Sequence, residues 1–247
     1  MPGLVEREKG SVVRFVLIHS NQRDQPFIAG PILYPRRRPP LVGLRRPGRA
    51  RGRPLPRGRA PAHAHSPGVP SASSAKTQLA GLKVRTGADP DGYKRNLFPT
   101  WITISGTCNT REYVLKRDAS AIKLNDDCTS SSGKWTSPYD GGAWTQASDL
   151  DIDHMVPLKN AWVSGADKWT TDKRRQFAND VDRPQLWAVT DSVNSSKSDK
   201  SPDAWKPPLS SSYCTYASAW VQVKSHWELS ITSAEKAALT SMLDTCS

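Results

Sequence analysis

The chain has 247 residues, is 36% hydrophobic and carries a formal net charge of +12. That length allows one or two domains, and no stretch is apolar and long enough to read as a membrane-spanning helix. The charge is uneven: residues 1–75 hold 14 Lys/Arg against 3 Asp/Glu, while residues 76–247 hold 21 against 20. Global charge therefore does not make the later part a polyanion binder, and any such binding must come from local arrangement.

Residues 1–75 contain 12 of the 20 prolines and 8 of the 16 glycines. Runs such as Pro-Arg-Arg-Arg-Pro-Pro at 35–40 cannot build a core, so this part reads as a basic, disordered or processed leader. The apolar piece at 11–20 contains Arg14. It is too short to span a membrane and too charged for the core of a signal peptide. The leader is either a nucleic-acid-binding arm or an extension standing where a signal peptide would be. The second reading better suits the cysteine-bearing character of residues 76–247. Residues 60–75 read as a linker.

All nine tryptophans and all four cysteines, Cys108, Cys128, Cys214 and Cys246, lie after residue 100. No C-x-x-C pair occurs, which argues against a zinc knuckle. An even cysteine count in a Ser/Thr/Trp-rich chain points to two disulfides and an oxidising compartment. Of three connectivities, the sequential pairs Cys108–Cys128 and Cys214–Cys246 each close a short loop, worth about 3 kcal/mol on the chain-entropy account.

In chain order, 79–84 is a short apolar opening and 88–93 a turn-rich piece. Residues 108–118 read as a helix capped by Asn109 or Thr110. A hairpin is expected from 119–127 and 134–138 around a loop at 128–133. Helices are expected at 158–165, ended by Gly165, and at 172–181, capped by Thr170 or Thr171 and broken by Pro184. A short apolar strand lies at 186–189, followed by a polar, cap-rich run at 191–199. Residues 213–229 place Tyr216, Trp220, Val223 and Trp227 at helical spacing, and 233–243 is a capped amphipathic helix.

Residues 149–157 carry the chemistry. Asp149, Asp151 and Asp153 alternate with Leu150 and Ile152, a period-2 pattern for a half-buried strand, and His154 comes next. Aspartate is a poor strand former, so these acids are not there for strand stability. A carboxylate beside an imidazole can bind a hard cation and activate water. Taken alone, the run also fits a solvated acidic turn with a surface histidine.

The wider order is strand with Asp153-His154, two short helices, a second strand, then Asn194-Ser195-Ser196-Lys197-Ser198-Asp199 entering a helix. This order resembles the ββα-metal motif of HNH nucleases, whose D-H-[IV]-[VI]-P signature is matched by Asp-His-Met-Val-Pro-Leu except for Met155 at the first bracketed place, and whose closing N-x-x-K-x-D element is matched at 194–199. With Arg-Arg-Gln-Phe-Ala-Asn-Asp, Arg-Pro-Gln-Leu-Trp-Ala-Val, Trp-Lys-Pro-Pro and the upstream Cys-Asn-Thr-Arg-Glu-Tyr-Val-Leu-Lys-Arg-Asp, it is similar to secreted bacterial HNH-family proteins related to the C-terminal nuclease domain of GmrSD-type restriction enzymes. The likeness covers 76–247.

The resemblance implies an α+β fold, with an HNH-like ββα-metal core inside a mostly helical, disulfide-stapled single domain at 76–247. It implies His154 as general base, with Asp153 and Asn194 as ligands of one divalent cation, Mg²⁺ or Mn²⁺. The chemistry agrees: an imidazole can take a proton from water near neutral pH, and one carboxylate plus one amide oxygen are hard ligands. Asp151 would orient His154 or Arg111, or cap the strand. Lys197 and Arg111 are expected to face phosphate. Ser198 stands where glycine is common in the family, so the local turn is expected to differ. The implied protein is a secreted endonuclease of low sequence specificity, cutting DNA or RNA, with no membrane and no obligate protein partner. Two rivals are a non-catalytic module that holds nucleic acid through the basic leader, and a zinc hydrolase, which a cluster with one histidine fits poorly.

Overall fold

The structure is a computed structural model that describes residues 67–246. The leader up to residue 66, including the apolar piece at 11–20, lies outside the described residues.

Helix α1 (Ala72–Gly81) opens the described part. Strands β1 (Thr103–Ser105) and β2 (Cys108–Asn109) pair antiparallel and lead into α2 (Thr110–Asp118). Strands β3 (Ala121–Leu124), β4 (Ser130–Thr136) and β5 (Ala143–Trp144) form a three-stranded sheet in that order. Then come β6 (Leu150–His154), α3 (Leu158–Val163), α4 (Thr171–Ala178), β7 (Leu186–Thr190), α5 (Asp191–Lys197), α6 (Tyr213–His226) and α7 (Ser233–Leu243). The fold class is α+β, as the sequence indicates.

Local signals account for most of these boundaries. The Asn109 side chain accepts from the Glu112 amide and caps α2, and Thr170 does the same for α4 through Lys173. Thr232 and Glu235 form a reciprocal capping box at the start of α7. Helix α3 runs into Gly165 at φ +127°, a conformation that favours glycine. Helix α1 is absent from the sequence-based expectation. Ser71 caps it and Ala75 and Leu79 bury their side chains, so it crosses the compositional boundary at 75/76.

Both sequential disulfides are formed, Cys108–Cys128 and Cys214–Cys246. The first ties β2, directly before α2, to the turn before β4. The second joins the start of α6 to the residues after α7.

Strands β6 and β7 form a two-stranded antiparallel ribbon, with Leu150 opposite Thr190, Ile152 opposite Ala188 and His154 opposite Leu186. Its apolar side chains Leu150, Ile152, Leu186 and Ala188 pack against Val114 and Leu115 of α2 and Trp135 of β4. Trp187 and Val189 belong to the larger core, with Tyr139, Phe177, Tyr216 and Trp220. Such a ribbon is marginal by itself, because both of its edges expose unpaired backbone groups. Here charged side chains satisfy them. Arg117 donates to the Leu186 carbonyl, and Asp118 accepts from the Ala188 amide at 3.0 Å. On the other strand, Arg111 donates to the carbonyls of Leu150 and Ala147. Lys197 donates to the carbonyl of His154 at 2.9 Å.

The Asp118→Ala variant removes the acceptor for a buried amide and also leaves the Arg117 guanidinium without its carboxylate. It should lose ~2–3 kcal/mol in urea unfolding. An Asp191→Ala control at the exposed start of α5 should change stability far less.

Candidate active site

A cleft of about 430 Å³ opens at the end of the ribbon. One wall is Ile152–His154, another is the Pro157–Lys159 start of α3, and a third is Asn194, Ser195 and Ser198 of α5 and its end. Tyr93 and Arg95 close the fourth side. The ribbon hydrogen-bond pattern ends at His154, and the buried Gln185 takes over there. Its carbonyl accepts from Met155, and its side chain accepts from the Val156 amide and donates to the Val156 carbonyl. That clamp fixes the chain as it leaves the strand.

His154 is only 5% exposed. Its Nε2 lies 3.0 Å from the carbonyl oxygen of Ala178. A carbonyl only accepts, so Nε2 carries the hydrogen and Nδ1 keeps its lone pair. The ring of Trp101 lies across the imidazole, with centroids 5.8 Å apart. Trp101 has φ +58°, a strained conformation for a bulky residue. Asn179 holds it there by accepting from the Ile102 amide and donating to the Pro99 carbonyl. One turn at the end of α4 thus positions both partners of His154. Burial pushes the His154 pKa down to about 3, with the nearby charges of Arg95 and Lys197 acting in the same direction against the raising effect of the Ala178 bond. The imidazole is neutral throughout the physiological range.

Asp153 is also 5% exposed. Its Oδ2 accepts from the Tyr139 hydroxyl at 2.6 Å and its Oδ1 from Lys197 Nζ at 2.9 Å. Burial raises the carboxyl pKa, and Lys197 and Tyr139 oppose that. Lys197 is completely buried, and its ammonium is spent on Asp153 and on the His154 carbonyl rather than facing the cleft. Asn194 donates from Nδ2 to Asp151 Oδ2 at 3.0 Å, so Asp151 orients Asn194. The guanidinium of Arg111 goes to backbone carbonyls at the start of β6 rather than to a phosphate-facing position. Asp153, His154 and Asn194 therefore meet at one cleft, while Lys197, Asp151 and Arg111 support its walls.

Ser198 has φ +52° and ψ −130°. The turn that ends α5 therefore keeps a backbone conformation suited to glycine, although a serine occupies it.

Sequence reasoning missed Arg95, Tyr93 and Lys159 at the cleft, Tyr139 on Asp153 and Trp101 on His154. Tyr139 and Trp101 read as turn and core residues, and no spacing rule links them to 153–154.

Among the described residues, no three His, Cys, Asp or Glu side chains converge as a metal site, and every cysteine is in a disulfide. Of the two carboxylates lining the cleft, Asp199 is paired with Lys159, so the free hard donors are the Asp153 carboxylate and the Asn194 amide oxygen. Asn194 turns its Nδ2 to Asp151, which leaves Oδ1 as its cleft donor. Each Asp153 oxygen accepts one hydrogen bond, from Tyr139 or from Lys197, so lone pairs remain. This hard, sparse set fits a divalent cation that keeps most of its water, and does not fit a structural zinc.

Residues 100–242 match the family described as GmrSD restriction endonucleases, C-terminal domain. The chain belongs to this family. It is also 60% identical, over 180 residues, to an uncharacterized secreted protein of Arthroderma benhamiae, covering 73% of this chain and 88% of that one. This relative is fungal, whereas the sequence resemblance points to bacterial proteins. No solved structure matches the chain. With both disulfides formed and a relative of this identity described as secreted, the protein is a secreted one. Among the described residues no helix is long and apolar enough to cross a membrane.

Below about pH 6 the unfolded chain takes up a proton at His154 that the folded chain excludes. Stability should therefore fall with pH at ~1.4 kcal/mol per unit through the window down to about pH 3 from this group. Urea titrations at a series of pH values should show a shallower fall in His154→Asn. The Ser198→Gly variant should gain ~0.5–1 kcal/mol by relieving the positive φ, read as a higher thermal midpoint.

Proposed function

We propose that the protein is a metal-dependent endonuclease of the HNH class, hydrolysing phosphodiester bonds in nucleic acid with low sequence specificity. In this reading β6, β7 and α5 are its ββα core. The observation that carries it is the meeting of Asp153, Asn194 and a neutral His154, whose Nδ1 keeps its lone pair, at one cleft. Membership of a restriction-endonuclease domain family supports the substrate class. The catalytic unit begins no later than α1, and the basic leader is outside it.

His154 Nδ1 accepts the proton of the attacking water. Its Nε2–H, held by Ala178, keeps that tautomer in place, and Trp101 keeps the ring plane fixed. A low basicity has a cost in driving force but ensures that the base is never already protonated at working pH. Asp153 and Asn194 would hold one divalent cation, Mg²⁺ or Mn²⁺, which supplies charge stabilisation at a phosphate oxygen and at the departing 3′ oxygen. Tyr139 and Lys197 fix the Asp153 carboxylate, and Asp151 fixes the Asn194 amide. DNA is the preferred substrate in this reading, with RNA as the alternative.

Supercoiled plasmid and a structured RNA, each incubated with a panel of divalent cations, provide the test. Cutting should require added cation and stop with EDTA, and His154→Ala should lower the rate at least ~10²-fold with the fold intact by circular dichroism. Parent-rate cutting by His154→Ala would remove the assignment.

A further inference from the structure

The ionised side chains lining the cleft are Arg95, Asp153, Lys159 and Asp199. Asp153 is paired with Lys197 from below at 2.9 Å. Lys159 is paired with Asp199 at 2.8 Å, joining the start of α3 to the residues after α5, with both side chains nearly half exposed. Arg95 is left over. Its guanidinium is exposed and makes no hydrogen bond or ion pair among the described residues. Yet it is not on a loose strand of chain. It opens the short helical turn Arg95–Leu97, Phe98 next to it is fully buried, and the Leu97 carbonyl is held by Arg174 Nε at 3.0 Å. The charge of Arg95 reaches His154 on one side and Tyr93 on the other, and Tyr93 also feels Lys159 and Asp199. An unpaired cation carried on an anchored turn at the mouth of a cleft, beside a proton acceptor, is suited to bind an anion there.

We propose that Arg95 and Lys159 form a phosphodiester-binding subsite across the mouth of the cleft, with Asp199 occupying Lys159 until a phosphate takes its place. The subsite deepens the nuclease reading and rests on it for the class of ligand. Arg95 lies upstream of residues 100–242, the stretch that matches the family, so family membership does not assign it. Planar guanidinium can grip a phosphate through two N–H donors, whereas the ammonium of Lys159 acts as a point charge that can exchange one oxyanion for another. An exposed ion pair such as Lys159–Asp199 is weak, so exchange costs little.

The full chain is titrated with tetrathymidylate in EDTA, monitored by calorimetry at several salt concentrations. No metal is present and nothing is cut, and the leader is common to every variant. Arg95→Ala should bind about 10-fold more weakly and lose about 0.7 from the slope of log affinity against log salt. Lys159→Ala should weaken binding about 3-fold, and Asp199→Asn should tighten it about 3-fold. Arg95 is exposed and Lys159 is nearly half exposed in a weak surface pair, so these variants should keep the parental thermal midpoint. A parent that does not bind the tetranucleotide, or an Arg95→Ala variant that binds with parental affinity and slope, overturns the subsite. Unchanged affinity in Asp199→Asn removes the role of Asp199 as occupant. A protein that binds as expected and never cuts plasmid under any cation leaves the subsite standing and defeats the nuclease reading alone.

Discussion

The site depends on a ribbon of only two strands that is buried on both faces. Its residues Leu150, Leu186 and Ala188 are almost inaccessible to water, so their outward backbone groups have no solvent to bond. An unpaired buried backbone group costs ~1–3 kcal/mol, and a whole domain is stable by only ~5–15 kcal/mol. Four such groups left open would consume most of that margin. Larger sheets solve this with more strands. This protein solves it with side chains from two helices, Arg111, Arg117 and Asp118 from α2 and Lys197 from α5.

That solution determines where the chemistry can be. The cleft opens at the end of β6, where Asp153 and His154 line it. The same side chains that seal the edges also tune the site. Lys197 bonds the carbonyl of His154 and the carboxylate of Asp153 together, so the position of α5 and the orientation of that carboxylate are one variable. Asp151, one residue pair back along the strand, fixes Asn194 on the same helix. The arrangement explains how a short helix of seven residues can hold Asn194 in place without a side-chain cap of its own.

Much of this is legible in the sequence because the signals are local. Asn109, Thr170 and Thr232 announce helix starts, the alternation at 149–154 announces a strand, and the two short cysteine loops announce their pairing. Long-range assignments are harder. Arg111 and Lys197 are long, charged and near the motif, which suggests phosphate. The backbone edges that claim them are created only when the ribbon docks on the helices. Trp101, Tyr139 and Arg95 reach the site through tertiary packing that no periodicity encodes. Helix α1 is hidden by its neighbours, because its Ser/Ala-rich first turn continues the composition of the preceding linker.

The bridge from Cys108 to Cys128 has a consequence for when the protein becomes competent. It tethers β2 directly before α2, and that helix supplies three of the four charged side chains that close the ribbon. Oxidation of this pair restrains the chain by about 3 kcal/mol relative to its unfolded form. A freshly made chain in a reducing cytosol lacks that restraint at the element the cleft leans on. The bond needs an oxidising compartment to form, which agrees with a secreted protein.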